Sequence, residues 1–345
     1  MSDQHSTNTA RQALARFTPY LLAIIASFAA AGIFIAAMGF NVFEAYETIL
    51  FTSFRTQNGF IQTLLKFAPL LLQALAFTIP LTAGKFNIGG EGQLIVGAIG
   101  ATAVGILFTD LPAVLLLPMV LLGGVIAGAL WAAIPAWLLY RFNINEILTT
   151  VLMNFISFSL IDYVATEIWR DATAGHPTTI PIGSGGELPL IISKPPLHVG
   201  VLLVILVAVA VQFYTSRTAS GYEMIVTGAN PRASQVFGIP VKRMFLMSLV
   251  LGGVLAGLSG ALEVSGVHHR LIEGLQSNFL LLGIIIGLIA KGDSKTVPFV
   301  AFFIAVLEVG ASALQRTMMV PVEMVFIIEA LVLLFVLLSD VVRRR

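Results

Sequence analysis

The sequence predicts an all-α, polytopic membrane protein with about ten transmembrane helices and both termini in the cytoplasm. Hydrophobic residues make up 57% of the 345 residues and charged residues only 11%, whereas a soluble domain carries about 25% charged residues. Apolar runs close to the length that spans a bilayer, about 20 residues, recur along the chain. These runs do not alternate in polarity, as the strands of a membrane barrel would.

Ten apolar runs are interpreted as spanning helices, of which the third begins inside a polar motif and the eighth is short. The first run is longer than the core of a secretory signal, about 7–15 residues, so we expect a retained helix. It leaves residues 1–17 as a cytoplasmic tail and 18–345 as one transmembrane domain. The runs cover residues 18–39, 63–83, 91–109, 112–139, 146–164, 198–214, 243–263, 277–290, 296–314 and 322–339.

The distribution of basic residues predicts the orientation. With the N-terminus inside, the ten spans place 13 of the 19 lysines and arginines on the cytoplasmic side, in agreement with the positive-inside rule. The other six face outwards, namely Arg55, Lys66, Arg170, Lys194, Arg270 and Arg316. Because the basic residues lie mostly at membrane boundaries, the net charge of +1 does not indicate a nucleic-acid partner.

Three segments are too polar to lie in lipid. Segment 40–60 is predicted to form a short interfacial helix on the outer side. Segment 165–197 contains five prolines, which exclude a regular helix, and is predicted to be an ordered outer loop available to an external partner. Segment 215–242 is the longest cytoplasmic piece.

A polar, glycine-rich break at residues 84–93 separates the second and third apolar runs. It reads Gly-Lys-Phe-Asn-Ile-Gly-Gly-Glu-Gly-Gln. Irregular backbone at membrane depth is tolerated only where protein or a water-filled cavity surrounds it, so this break indicates a transport pathway. We expect Asn87, Glu91, Gln93 and Asn154 to line that pathway, because amides can hydrogen-bond a polyhydroxylated solute. A purely structural role, tying a broken helix to its neighbours, is equally compatible with the pattern.

Segment 228–239 predicts a short helix in the cytoplasmic loop. Asn230 is a suitable N-cap for a helix whose first residue is Pro231, and Gly238 can end it after about two turns. Ala233 and Ser234 offer a small face. Such a helix either contacts a cytoplasmic partner or is simply solvated, and the residue pattern alone favours neither.

Glycine pairs four residues apart predict close packing between helices, since small residues let helix backbones approach in lipid. Packing within one bundle is the expected role of all three pairs. They are Gly124 with Gly128, Gly253 with Gly257, and Gly283 with Gly287.

Neither enzymatic nor metal chemistry is indicated. The chain has no cysteine, no phosphate-binding P-loop motif and no nucleophile or metalloprotease motif, so we expect no catalytic residue, metal or cofactor. The adjacent His268 and His269 have no partner at a metal-ligand spacing such as i+4, and we expect them to be solvated. Glu308 and Glu329 fall near the middle of the last two spans, where a carboxylate serves either a proton pathway or a structural hydrogen bond.

Taken together, these motifs resemble the permease subunits of ABC importers in the branched-chain amino acid and simple-sugar group. The resemblance covers about residues 60–340 and is greatest to the larger permease of nucleoside-type uptake systems. It is carried by Phe86–Gln93, by Asn145-Glu146-Ile147 leading to Met153-Asn154, by Gly228 to Ile239, and by the small-residue patterns at 256–267 and 310–315.

The resemblance implies a translocating subunit for a nucleoside or simple sugar in the inner membrane of a bacterial cell. Its implied partners are a cytoplasmic ABC ATPase, a second permease subunit and an extracytoplasmic solute-binding lipoprotein. It also implies that the 215–242 segment couples to the ATPase. The coupling residues would be Gly228, Asn230, Pro231, Ala233, Gly238 and Ile239.

Two other functions are compatible with a polytopic membrane protein. A proton-coupled secondary transporter would use Glu308 and Glu329 as proton carriers and would need no ATPase. A membrane scaffold would leave the polar break unexplained. The capped helix in the 215–242 segment favours the ABC importer, since a proton symporter has no need of it.

Overall fold

A computed structural model of the chain describes residues 25–26, 28–319, 327, 330 and 331. Within them the chain is built mainly from helices. In chain order these are α1 (Phe28–Ala37), α2 (Val42–Arg55), α3 (Gln57–Thr82), α4 (Gly90–Leu107), α5 (Ala113–Phe142), α6 (Glu146–Tyr163), α7 (Gly200–Arg217), α8 (Ala219–Ala229), α9 (Pro231–Val236), α10 (Val241–Leu262), α11 (Phe279–Ile289) and α12 (Val297–Met318).

The chain is not purely α-helical. Helix α6 continues as a π-helical turn over Val164–Ile168, and α10 continues as another over Glu263–His268. Strands β1 (Leu190–Ser193) and β2 (Pro196–His198) form an antiparallel hairpin. The hairpin lies in the proline-rich segment for which only an ordered loop was predicted, because short strands bounded by prolines leave little period-two pattern.

Nine of the ten predicted spans correspond to apolar helices in the described part of the chain. Seven helices are long and apolar enough to cross a membrane, while Phe28–Ala37 and Phe279–Ile289 are shorter. The tenth predicted span, 322–339, lies almost entirely outside the described residues. The 215–242 segment is mostly helical, since α7 extends to Arg217 and α8 follows it directly.

Residues 64–305 form one compact unit whose centre is the packing of α4, α5 and α10. The glycine pairs make this packing possible. A Cβ added at Gly128 would lie 2.6 Å from the Cα of Gly257, and one added at Gly124 would lie 3.0 Å from the Gly257 carbonyl oxygen. Gly283 of α11 lies equally close to the backbone of Gln73 in α3. The prediction that these glycines serve packing within the bundle is confirmed.

The two ends of this unit differ in structure. At the end formed by residues 164–199 and 263–275, which we call the hairpin end, the proline-rich segment pairs with the chain that follows α10. The backbone N–H groups of Thr179, Ile182 and Leu188 donate to the carbonyl oxygens of Leu271, His269 and Ser265, at 3.0, 2.9 and 2.8 Å. The opposite end, formed by residues 83–89, 143–146 and 228–245, is called the α9 end.

The described residues among 1–63 and 306–345 form a second compact unit. Within its described part, the predicted helix in segment 40–60 is present as α2. The Asn41 side-chain oxygen caps α2 by accepting from the backbone N–H groups of Phe43 and Glu44. Helix α2 packs on α12, where a Cβ added at Gly310 would meet the backbone of Ile49.

Candidate functional site

Residues 83–89, which include the first part of the polar break, are irregular backbone between α3 and α4. The N–H groups of Gly84 and Lys85 still bond back to the carbonyl oxygens of Leu81 and Pro80, both at 2.9 Å. Gly84 then takes a φ of +73°, a left-handed conformation that costs glycine little. The chain therefore leaves α3 at a sharp turn and enters α4 at Gly90.

Asn87 and Gln93 form a reciprocal pair of amide hydrogen bonds across the break. The Asn87 Nδ2 donates to Gln93 Oε1 at 2.9 Å, and the Gln93 Nε2 donates to Asn87 Oδ1 at 3.0 Å. Asn87 also accepts from the Gly89 N–H and donates to the Ala76 carbonyl oxygen. Both side chains are 1% exposed. Their amides are thus occupied in holding the break together.

Asn154 of α6 supplies the cap that the N-terminus of α4 otherwise lacks. Gly89, the N-cap residue, has no side chain with which to bond. The Gly92 N–H instead donates to Asn154 Oδ1 at 2.9 Å, and Asn154 Nδ2 donates to the Ile88 carbonyl oxygen at 2.8 Å. A helix from another part of the chain therefore satisfies backbone groups that would be orphaned at a helix terminus.

Glu91 differs from these three amides. Its side chain is partly exposed at the second position of α4, and no residue in the described part of the chain makes a hydrogen bond or ion pair with its carboxylate. An unpaired carboxylate at the edge of a membrane helix is a candidate contact for a polar solute.

Two residues with polar side chains beside the break, Gln73 and Trp131, were not predicted from the sequence as site residues. Gln73 Oε1 and Trp131 Nε1 are buried without a hydrogen-bond partner. A Cβ added at Gly90 would lie 2.6 Å from Gln73 Oε1, and one added at Gly92 would lie 3.1 Å from Trp131 Nε1. An amide in the middle of an apolar run was a usable signal for Gln73, whereas nothing in the sequence distinguished Trp131.

Lys85 connects the break to two other helices at the α9 end. Its Nζ lies 3.4 Å from Glu146 Oε2 at the start of α6 and 4.5 Å from the centre of the Phe245 ring in α10. The Lys85 and Glu146 side chains are 19% and 9% exposed. This ion pair joins two of the motifs that were separate in the sequence.

Helix α9 confirms the predicted capped helix. The Ala233 N–H donates to Asn230 Oδ1 at 3.1 Å, Pro231 is the first helical residue, and α9 ends at Val236. Gly238 follows with a φ of +80°, and the Ile239 N–H donates back to the Ser234 carbonyl oxygen at 3.0 Å.

The exposed face of α9 is not the small face that the sequence suggested. Ser234 is buried, and its hydroxyl donates to the Asn230 carbonyl oxygen because the short capped turn folds it inwards. The solvent-facing tip consists instead of Val236 and Phe237, which are 85% and 82% exposed. Their position directly before a left-handed glycine was the signal that sequence reasoning missed.

The histidine pair lies at the hairpin end beside carboxylates rather than alone in solvent. His268 Nε2 is 3.5 Å from Glu263 Oε2, and His269 Nδ1 is 3.9 Å from Glu187 Oε2. The π-helical turn places residues five apart on one face, a spacing that a search at i+4 does not detect. No group of three or more candidate metal ligands occurs in the described residues.

Glu308 lies in α12 and is partly exposed, whereas Glu329 lies outside the described residues. The described residues therefore include only one of the two carboxylates of the proton-coupled hypothesis.

Comparison with known proteins identifies close relatives over nearly the whole chain. The chain is 33% identical to the glucose ABC transporter permease protein TsgB13 of Haloferax volcanii, over 96% of this chain and 89% of that protein. It is 31% identical to the guanosine ABC transporter permease protein NupP of Bacillus subtilis, over 94% and 93% of the two chains. It is 27% identical to the nucleoside ABC transporter permease protein NupB of Lactococcus lactis, over 93% and 91%.

No solved structure gives a significant match to the chain. The model of the family described as "Branched-chain amino acid transport system / permease component" matches residues 59–337. That match includes the polar break, α9 and both motifs joined by the Lys85–Glu146 ion pair. The chain therefore belongs to the branched-chain amino acid transport system permease family and is a membrane permease of the ABC transporter type.

Proposed function

We propose that the chain forms part of the translocation pathway for a nucleoside or simple sugar and receives its energy at α9 from a separate ABC ATPase. A second permease subunit completes the pathway. Both termini and the α9 end face the cytoplasm, as the basic residues favour, and the membrane is the inner membrane of a bacterial cell.

One observation carries this proposal, namely the exposed apolar tip of α9. Val236 and Phe237 are 85% and 82% exposed on a helix that is otherwise anchored by Asn230 and Ser234. Two exposed apolar side chains on a polar, water-facing segment are suited to a hydrophobic groove on a partner. Since the family is that of ABC permeases, the partner with such a groove is the ATPase.

The remaining predicted coupling residues have distinct parts in this proposal. Asn230 and Pro231 start α9, Gly238 ends it, and Ala233 and Ile239 are half-buried beside it. Gly228 lies before α9 in the last turn of α8. The predicted residues thus shape and orient α9, while Val236 and Phe237 make the contact.

The break and the relatives both support this solute class. Glu91 offers a charged and partly exposed acceptor, with which the hydroxyl groups of a sugar ring can form hydrogen bonds. Guanosine, nucleoside and glucose, which the names of the relatives specify, share such a ring.

The hairpin end is proposed as the docking surface for an extracytoplasmic solute-binding lipoprotein. The proline-rich segment there is held by backbone hydrogen bonds to residues 265–271, so it can present a fixed surface. Delivery of the solute at this end and coupling at the α9 end would place the two partners on opposite sides of the membrane.

The test is to replace Phe237 by aspartate and to measure association with the ATPase encoded alongside, using detergent-purified complexes. A charge in the groove would be desolvated without a partner, so we expect association to fall at least about tenfold, or more than 1.4 kcal/mol. Gly238→Phe should act in the same direction by distorting the end of α9.

Tyr222→Ser is the matched control, because Tyr222 is an exposed aromatic residue, 65% exposed, on the adjacent helix α8. It should leave association unchanged. If Phe237→Asp binds the ATPase as the wild type does, the docking site is elsewhere, and the loop at residues 140–146 is the next candidate.

A further inference from the structure

The helices before and after α9 contact two consecutive residues of the polar break. Helix α8 contacts Gly84, and helix α10 contacts Lys85. On the α8 side, Gly228 lies directly against the end of α3. A Cβ added at Gly228 would collide with the carbonyl oxygen of Thr82 and would lie 2.9 Å from the Gly84 nitrogen. Conversely, a Cβ added at Gly84 would lie 3.3 Å from the Gly228 Cα. No side chain separates the two backbones.

On the other side of α9, helix α10 contacts the next residue, Lys85. The Phe245 ring lies under the Lys85 Nζ at 4.5 Å, and the same ammonium group is 3.4 Å from Glu146 of α6. The side chain is thus held between the N-terminal parts of α6 and α10. It is the only lysine or arginine among residues 84–93.

Helix α10 also reaches the amide pair directly. A Cβ added at Gly252 would lie 2.8 Å from Asn87 Nδ2 and 2.7 Å from the Ala76 carbonyl oxygen. The helix that begins just after α9 therefore contacts the break twice, through Phe245 and through Gly252.

The links between α9 and these contacts are short. Only Asn230 separates α8 from α9, and only residues 237–240 separate α9 from α10. A displacement of α9 must therefore be absorbed at Asn230 and at 237–240 or be passed to Gly228 and Phe245. At the contact between Gly228 and Gly84 no side chain can change its rotamer to absorb the displacement. Packed interfaces shift between discrete arrangements and do not deform continuously.

We propose that Gly84 and Lys85 are the residues through which movement of α9 reaches the polar break and opens or closes the pathway. On the α8 side, Gly228 positions Gly84. On the α10 side, Glu146 and Phe245 position Lys85. This inference rests on the proposed coupling role of α9.

The first test is Gly228→Ala in the full transporter complex. The added methyl group must push α8 away from residues 82–84, so the contact no longer transmits movement. We expect ATPase association to be unchanged and solute imported per ATP hydrolysed to fall at least about tenfold. Tyr222→Ser is the matched control, since Tyr222 lies on the same helix α8 but is 65% exposed, and its ratio should equal that of the wild type.

A second test reads the movement itself. The chain has no cysteine, so Phe86→Cys provides a unique thiol next to Lys85, at a side chain that is 39% exposed. We expect its rate of modification by a membrane-impermeant maleimide to change when ATP is added to the complex. Adding Gly228→Ala should abolish that change, while the rate without ATP stays similar.

The Lys85–Glu146 pair is tested without altering the glycine contact. Lys85→Met and Glu146→Gln should each lower the import-to-hydrolysis ratio, and the double variant should resemble either single variant because one interaction is removed in all three. Additive losses would overturn the role of the pair. These variants also test the inference if Gly228→Ala does not insert.

The outcomes separate this inference from the proposed function. If Gly228→Ala keeps the wild-type ratio and the ATP-dependent labelling of residue 86, the inference is wrong whatever the role of α9. If Gly228→Ala loses ATPase association, Gly228 belongs to the docking surface and not to transmission. The role of α9 itself fails only if Phe237→Asp leaves association intact.

Discussion

Asn87 and Gln93 each donate one amide hydrogen bond to the other, at 2.9 and 3.0 Å, and so tie the middle of the polar break to the first turn of α4. Both side chains are buried, and their donors and acceptors are used within the protein. Of the two roles that the sequence left open, this geometry supports the structural one for Asn87 and Gln93. Glu91, between them in sequence, has the unpaired carboxylate.

Replacing Asn87 or Gln93 by alanine should lower both stability and transport while leaving membrane insertion intact. Each single change strands a buried amide, at a cost of about 1–3 kcal/mol. Thermal unfolding of the purified protein in detergent and uptake by reconstituted complexes measure the two effects.

The double variant Asn87→Ala/Gln93→Ala is the control for that assignment. Because neither amide is then left without its partner, its destabilisation should be smaller than the sum of the two single effects. Strictly additive losses would show that the two side chains do not act as a pair. Full transport by both single variants would show that the pathway does not need this amide pair.

Glu91→Gln should lower uptake without affecting stability or ATPase association. Hydrogen bonds to a charged group contribute about 1.5–3 kcal/mol, so uptake below saturation should fall about tenfold or more. Asp162→Asn is the control, since Asp162 is an exposed carboxylate on α6. Wild-type uptake by Glu91→Gln would show that this carboxylate does not contact the solute.

The helices and their approximate ends could be predicted because each long apolar run has only one way to satisfy its backbone in lipid. Asn230, Pro231 and Gly238 predicted α9 for an equally local reason, since a cap, a first-turn proline and a left-handed glycine act within a few residues. The polar break was recognisable from its composition alone.

The contacts made by the break could not be predicted, because they join residues far apart in sequence. Asn154 caps α4 from 62 positions away, and Lys85 meets Glu146 from 61 positions away. Nothing in the sequence around Gly228 indicated that it would lie against the backbone of Gly84. The backbone bonds between the proline-rich segment and residues 265–271 likewise join parts of the chain that are far apart in sequence.

Stability should fall at acidic pH because of His198. Its ring is 3% exposed, neither nitrogen has a hydrogen-bond partner, and it packs against Gly200 and Gly266. Burial, with a smaller contribution from the charge of His269, lowers the pKa of His198 from 6.5 to about 4. Below about pH 6.5 the unfolded chain binds a proton that the folded protein excludes, so stability declines from there towards pH 4.

His198→Leu removes the titrating ring and should flatten this decline. Unfolding midpoints measured at several values between pH 7.5 and 5 compare the two slopes. The difference between the two slopes reports the contribution of His198. Identical slopes would contradict the assignment.

Glu308→Gln and Glu329→Gln should leave ATP-driven uptake within about twofold of the wild type. Glutamine cannot carry a proton, so this change would abolish uptake if the carboxylate were a proton carrier. If the carboxylate serves only folding or solute contact, the amide can keep its hydrogen bonds and uptake is little affected. Loss of uptake with ATP turnover and assembly intact would revive the proton-coupled hypothesis.

The most direct test of the account is the energy source for uptake by vesicles that contain the assembled transporter. Radiolabelled guanosine, with glucose as the second substrate, is supplied on the outer side together with the solute-binding protein. Uptake that follows the internal ATP supply and persists in the presence of a protonophore is the predicted result. Uptake that continues without ATP and collapses with the protonophore would contradict it.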